Sequence, residues 1–221
     1  MSRWTMLPAL LCVMALACAE PAEETATTAT ETAGPAAEGP VPGTPEWRIA
    51  EAMSAGPQDI TAGAAVMDWP TADGGEMAEL RAGTNGWVCM PDNPATGGPD
   101  PMCLDSAFQS WAAAWQGHTE PAITQIGLAY MLQGDAGASL TDPYATAPTE
   151  GADWVVAGPH VMIITPDAAQ LEAVSADPAA GPYVMWKGTP YAHIMVPVAA
   201  AVEAETDAEP TEVEPAEEAG A

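Results

Sequence analysis

The chain has 221 residues, 31 of them acidic and 4 basic, for a net charge of −27. A surface this acidic repels nucleic acid and anionic lipid and lacks the Lys/Arg footprint both demand, so no nucleic-acid partner is expected. The acidity is not confined to the ends: 18 acids between residues 45 and 198 face only Arg48, Arg81 and Lys187.

The chain opens MSRWTMLPALLCVMALACAE. One cation, Arg3, precedes an apolar run and a small-residue exit, the pattern of an export signal over residues 1–17. The run is shorter than the ~20 apolar residues that a membrane-spanning helix needs. Ala15-Leu16-Ala17-Cys18 resembles a bacterial lipobox, with Cys18 as the acylated residue and the lipid as the membrane anchor. The usual Leu three places before the Cys is Ala15 here, and Ala15-x-Ala17 serves equally as an ordinary cleavage site. Residues 18–44, rich in Ala, Thr, Glu and Pro without aromatic residues, read as a disordered acidic tether. Residues 199–221, with eight acids and no base, read as a disordered acidic tail.

Between them, residues 45–198 are long enough for one globular domain. WRIAEAMSA (47–55) is helix-like and stops at Gly56-Pro57. AAVMDW (64–69) is strand-like and ends at Pro70. EMAELRAGTNGWVCM is a hairpin candidate, because Asn85-Gly86 supplies the positive φ angles of a tight turn. CMPDNPATGGPDPMC follows, bounded by Cys89 and Cys103. With Cys12 in the signal and Cys18 as the lipid site, these two form one disulfide in an exported domain. Asp92, Asn93, Asp100 and Asp105 around that loop offer oxygen ligands for Ca²⁺, though at no EF-hand spacing.

In LDSAFQSWAAAWQGH, Phe108, Trp111 and Trp115 fall on one helix face, with Gly117 as the stop and His118 at the helix end. A strand over 123–133, a Gly/Pro/Asp loop, the strand HVMIIT, a short helix near 167–174 and the strands YVMWK and YAHIMVPV complete the domain. The expected fold is α+β: one domain with an antiparallel or mixed sheet of five to seven strands, two or three packed helices and one disulfide.

The two last long strands repeat His-x-Met: His160-Val161-Met162 and His193-Ile194-Met195. Alternation puts Val161 and Ile163 on one face, and His160 and Met162 on the other. A hairpin closed by Gly188-Thr189-Pro190 would set Met185 opposite His193 and Tyr183 opposite Met195, gathering one His/Met face. The β-branched side reads as the core and the His/Met side as an amphipathic second face. Imidazole and thioether together suit copper, above all Cu(I), so His160, Met162, Met185, His193 and Met195 form the candidate metal set. Packing of Met and a hydrogen-bonded His is the simpler alternative. Seven tryptophans against one Phe in this domain either fill the core or make a stacking platform for sugars and other flat ligands.

GTNGWVCMPDNP, DPMCLD, LAYMLQG, TDPYAT, GPHVMI and YVMWKGTPYAHIMVPV together resemble a family of uncharacterised exported bacterial proteins over about residues 64–198. The resemblance implies a single domain holding both cysteines and no particular chemistry. No G-x-S-x-G, H-E-x-x-H, P-loop or dinucleotide fingerprint is present. Three readings follow: an exported, lipid-anchored cell-envelope module that binds a protein or glycan without catalysis, a copper-binding protein using His/Met ligands, or an enzyme of unrecognised class.

Overall fold

The computed structural model describes residues 39–71, 75–148 and 153–198. The signal, Cys18, most of the tether and the acidic tail lie outside the described residues. Helix α1 (Pro45–Ser54) starts where Thr44 accepts a hydrogen bond from the Trp47 amide, with Pro45 at the first helical position. The short helix α2 (Gln58–Thr61) leads into β1 (Ala65–Asp68), β2 (Ala78–Arg81), β3 (Val88–Met90) and β4 (Met102–Leu104). Helix α3 (Ser106–Gln116) and β5 (Gly127–Met131) follow. Then come β6 (Ala138–Ser139), β7 (Trp154–Val155), β8 (His160–Ile164) and α4 (Ala168–Glu172). A 3-10 turn (Pro178–Ala180), β9 (Tyr183–Met185) and β10 (His193–Pro197) close the domain.

Eight strands form one mixed sheet in the order β2-β1-β3-β4-β5-β8-β10-β9, and β6 pairs with β7 in a small second sheet. Every pairing is antiparallel except β1 with β3. The α+β class with one disulfide holds, but among the described residues the main sheet has eight strands rather than five to seven, and there are four α-helices rather than two or three. The surplus is β4 and α2, three and four residues long and too short to show a period of their own.

The Asn85-Gly86 hairpin does not form. β1 lies between β2 and β3, so the two arms never pair. Instead the turn folds back on the residues before β1. The Asn85 side-chain amide donates to the Ile60 carbonyl at 2.7 Å, and the Thr84 amide to Gly63 at 2.8 Å. Gly83 crosses so close to β1 that a Cβ there would collide with the backbone of Ala64 and Ala65.

The sheet has two unlike faces. On one, α1 lays Ala52 and Ala55 against Ala64, Val66 and the Cys89–Cys103 disulfide, whose cysteines are register partners in β3 and β4. Small residues on α1 let the helix sit directly on the sulfurs; a Cβ at Gly56 would reach Cys103 Cβ and Sγ at 3.5 Å, ordinary contact, and would crowd Thr61 at 3.2 Å. On the other face, α3 lays Phe108 and Trp111 across β4, β5 and β8. Gly127 and Ala129 on β5 make room: a Cβ at Gly127 would press on Ile164 and Ala107. Asp105 locks this packing at both ends. One carboxylate oxygen accepts from the Phe108 amide (2.7 Å) as the helix N-cap, and the other accepts from the Leu128 amide (2.8 Å) of β5.

Candidate functional site

The His-Met strands pair as their spacing indicates. Met185 is the register partner of His193, and Tyr183 of Met195. β8 lies beside β10 with Met162 opposite Met195, and β5 adds Met131 opposite His160. A diagonal belt of Met131, His160, Met162, Met195, His193 and Met185 therefore crosses four strands on one face. Met131 was invisible to sequence reasoning because nothing local marks β5 as the neighbour of β8.

Which face is the core is the reverse of the expectation. His160 and His193 are 1 % and 2 % exposed, and Tyr183, Met185 and Met195 are buried with them. Val161, Ile163, Ile194 and Val196 are only half-buried. The cause is the placement of α3. Its aromatic stripe covers the His/Met side, and flexible thioethers fill the uneven space beneath flat indoles better than β-branched side chains would.

Each histidine avoids an unpaired donor in the same way. His160 Nδ1 lies 2.7 Å from the carbonyl of Gly158, and His193 Nδ1 lies 3.0 Å from that of Tyr191, two residues upstream in both cases. A carbonyl only accepts, so Nδ1 carries the proton and Nε2 the free lone pair. Burial pushes the His193 pKa down to about 4, against the pull of the Tyr191 carbonyl and with a smaller push from His160. His193 is thus a neutral imidazole at ordinary pH. Its ring stands edge-on to Trp186 (5.0 Å), Trp111 (5.3 Å) and Phe108 (6.5 Å). Among the described residues His160 Nε2 is buried without a hydrogen-bond partner, as are Tyr183 Oη and Trp111 Nε1. Burial raises the Tyr183 pKa to about 12, with Asp135 adding to it.

Above the belt lies a cavity of about 650 Å³, within the range typical of small-molecule sites. Its floor includes Met162, Met185, Met195 and His193, and its walls include Trp69, Trp111, Trp115, Trp154 and Trp186. Trp111 and Trp115 each stack on Trp186, with centroids 5.9 and 5.6 Å apart. The rim is formed by the disulfide loop (Asn93, Thr96, Asp100) and by the 135–146 segment. That segment is tied down where Trp115 Nε1 donates to Pro143 O at 3.0 Å. Farther along it, Tyr144 stacks on His118 at 4.1 Å. His118 thus ends as a surface stacking partner with a positive φ of 52°, while Gly117 caps α3 without one.

Trp186 is the strained residue of the cavity. Its φ is 55°, a left-handed conformation rare for a bulky side chain and costing on the order of 1–3 kcal/mol. The conformation ends β9 and swings the indole back over the sheet. It is held by the Trp186 amide donating to Leu140 O (2.7 Å) and by Nε1 donating to Ser139 O (2.8 Å).

The candidate calcium ligands are committed elsewhere. Asp92 accepts from the Asp100 amide (2.8 Å) and Asp100 from the Asn93 amide (2.7 Å), a reciprocal clasp that shapes the loop, while Asp105 caps α3. Burial, with Asp92 beside it, raises the Asp100 pKa to about 6, against the Asn93 bond. Among the described residues, no three His, Cys, Asp or Glu side chains gather in a way that could hold a metal ion. Any metal on the belt would have to use thioethers.

Comparison with protein-family models, with curated proteins and with solved structures finds no match.

Proposed function

We propose that this domain is a non-enzymatic binding module that takes a small, flat, largely apolar ligand into the Trp-walled cavity above the sheet. One observation carries the reading: a strained Trp186, held by two hydrogen bonds, stacks with Trp111 and Trp115 around a 650 Å³ cavity instead of filling it. Backbone strain concentrates where a site must be pre-shaped. Neither His160 nor His193 is hydrogen-bonded to a carboxylate or hydroxyl among the described residues, which favours binding over acid–base catalysis.

Export and lipid anchoring at Cys18 belong to the same proposal. They are supported by the N-terminal sequence and by a disulfide that fits an oxidising compartment.

The test uses the neutral fluorophore N-phenyl-1-naphthylamine with the full chain. Saturable binding with energy transfer from tryptophan is expected, lost in Trp186→Ala and retained in Trp87→Ala, whose indole lies with Tyr130 on the opposite face. Absence of binding, or equal binding in both variants, would remove the cavity as the site.

A further inference from the structure

The belt beneath the cavity has a chemistry that an apolar ligand does not use. His193, Met185 and Met195 are joined by direct pairing (His193 with Met185) and by i, i+2 alternation on one face (His193 and Met195). All three line the cavity, as does Met162, the register partner of Met195. Paired residues in an antiparallel sheet have Cα atoms about 4.5–5.5 Å apart, which long thioethers close easily. The one nitrogen among these donors is oriented to ligate, because the Tyr191 carbonyl, 3.0 Å from Nδ1, holds the proton there and leaves the Nε2 lone pair free. A second imidazole, His160, is buried one step along the belt with its Nε2 unpartnered.

We propose that the floor of the cavity is a site for a soft monovalent metal cation of Cu(I) type, ligated by His193 Nε2 and the thioethers of Met185 and Met195. Softness selects the ion. Neutral sulfur and imidazole bind Cu(I) well and Mg²⁺, Ca²⁺ or Mn²⁺ poorly, and no carboxylate is among the three donors. A single positive charge is also what this pocket tolerates. The indoles of Trp186 and Trp111 lie 5.0 and 5.3 Å from the His193 ring, close enough for a cation held there to interact with their π systems. The inference rests on the cavity being open to solutes, as the proposed function requires, but not on the nature of the organic ligand.

The test is an anaerobic Cu(I) titration of the full chain against the chelator bicinchoninate. Cys12→Ser and Cys18→Ser are present throughout, so that no free thiol competes. One equivalent should pass from chelator to protein and quench tryptophan fluorescence. Met185→Leu/Met195→Leu keeps the volume of both side chains and removes only sulfur. It should weaken copper binding by about tenfold to a hundredfold or more. His193→Gln should do the same, and near-UV circular dichroism reports whether either variant stays folded. Copper left with the chelator, or held as tightly by the folded Leu variant, would overturn the metal site. If naphthylamine still binds in that case, the cavity stands and only the metal falls.

Discussion

The two faces of the sheet solve burial by different means. Under α1, alanines sit on a disulfide, the contacts are short, and the cross-link closes a Pro/Gly-rich loop that the Asp92–Asp100 clasp also shapes. Under α3, a stack of indoles is set over methionines and two neutral histidines, and a cavity remains. The first face has small side chains in close contact. The second has large, polarisable ones that leave room. The staple fixes the register of β3 and β4, whose Met90, Met102 and Leu104 point to the other face and line the pocket there.

The contrast breaks most visibly at Phe108. It is buried between α3 and the sheet, and Phe108→Ala should cost about 3–5 kcal/mol and abolish naphthylamine binding, read by urea unfolding and fluorescence together. Next comes the stapled face. Cys89→Ala/Cys103→Ala opens a loop of 14-residue separation and should cost about 3 kcal/mol while leaving probe affinity nearly unchanged in the folded fraction. Loss of binding in that fraction would show that the two faces are not separable. Asp105→Ala removes both the α3 cap and the tie to β5, and should lower stability by about 1–2 kcal/mol.

Smaller effects sharpen the comparison. On the half-buried side, Ile194→Val should cost about 0.5–1.5 kcal/mol and leave probe binding intact. Met195→Leu on the opposite side of the same strand should cost less than about 1.5 kcal/mol. Acid separates the cavity floor from the disulfide loop at its rim. The His193 pKa is depressed, so its stabilising contribution is whole above pH 6.5 and lost as pH falls toward 4. The Asp100 pKa is raised, so its contribution is whole below pH 3.8 and lost as pH rises through 6. Between pH 4 and 6, His193→Gln should therefore flatten the acid limb of the stability curve, and Asp100→Asn should steepen it. The opposite pair of slopes would contradict these assignments.

Much of this was legible in the amino-acid order. The pairing of His193 with Met185 and of Met195 with Tyr183 follows from a hairpin closed at Gly188, and strand alternation correctly placed His160 with Met162. The disulfide followed from counting cysteines. What alternation could not say is which face another element covers. That is decided by α3, whose Phe108–Trp111–Trp115 stripe is visible but whose docking partner is not, and so alternation points to Val161 and Ile163 as the core where His160 and Ile164 are buried and Met162 packs against them. The Asn85-Gly86 turn misled for a related reason: turn chemistry is local, and the insertion of β1 between β2 and β3 is not. Nothing local marks Trp186 as left-handed, since the conformation is imposed by Leu140 and Ser139, more than 40 residues away.

The most direct measurement is methyl NMR of the full chain with ¹³C-methyl methionine, titrated with N-phenyl-1-naphthylamine. Ring-current shifts at Met162, Met185 and Met195 are expected, with Met53, which contacts Arg81 away from the cavity, unmoved. Saturable binding that leaves all three cavity methyls unshifted would contradict a binding site on the His/Met face.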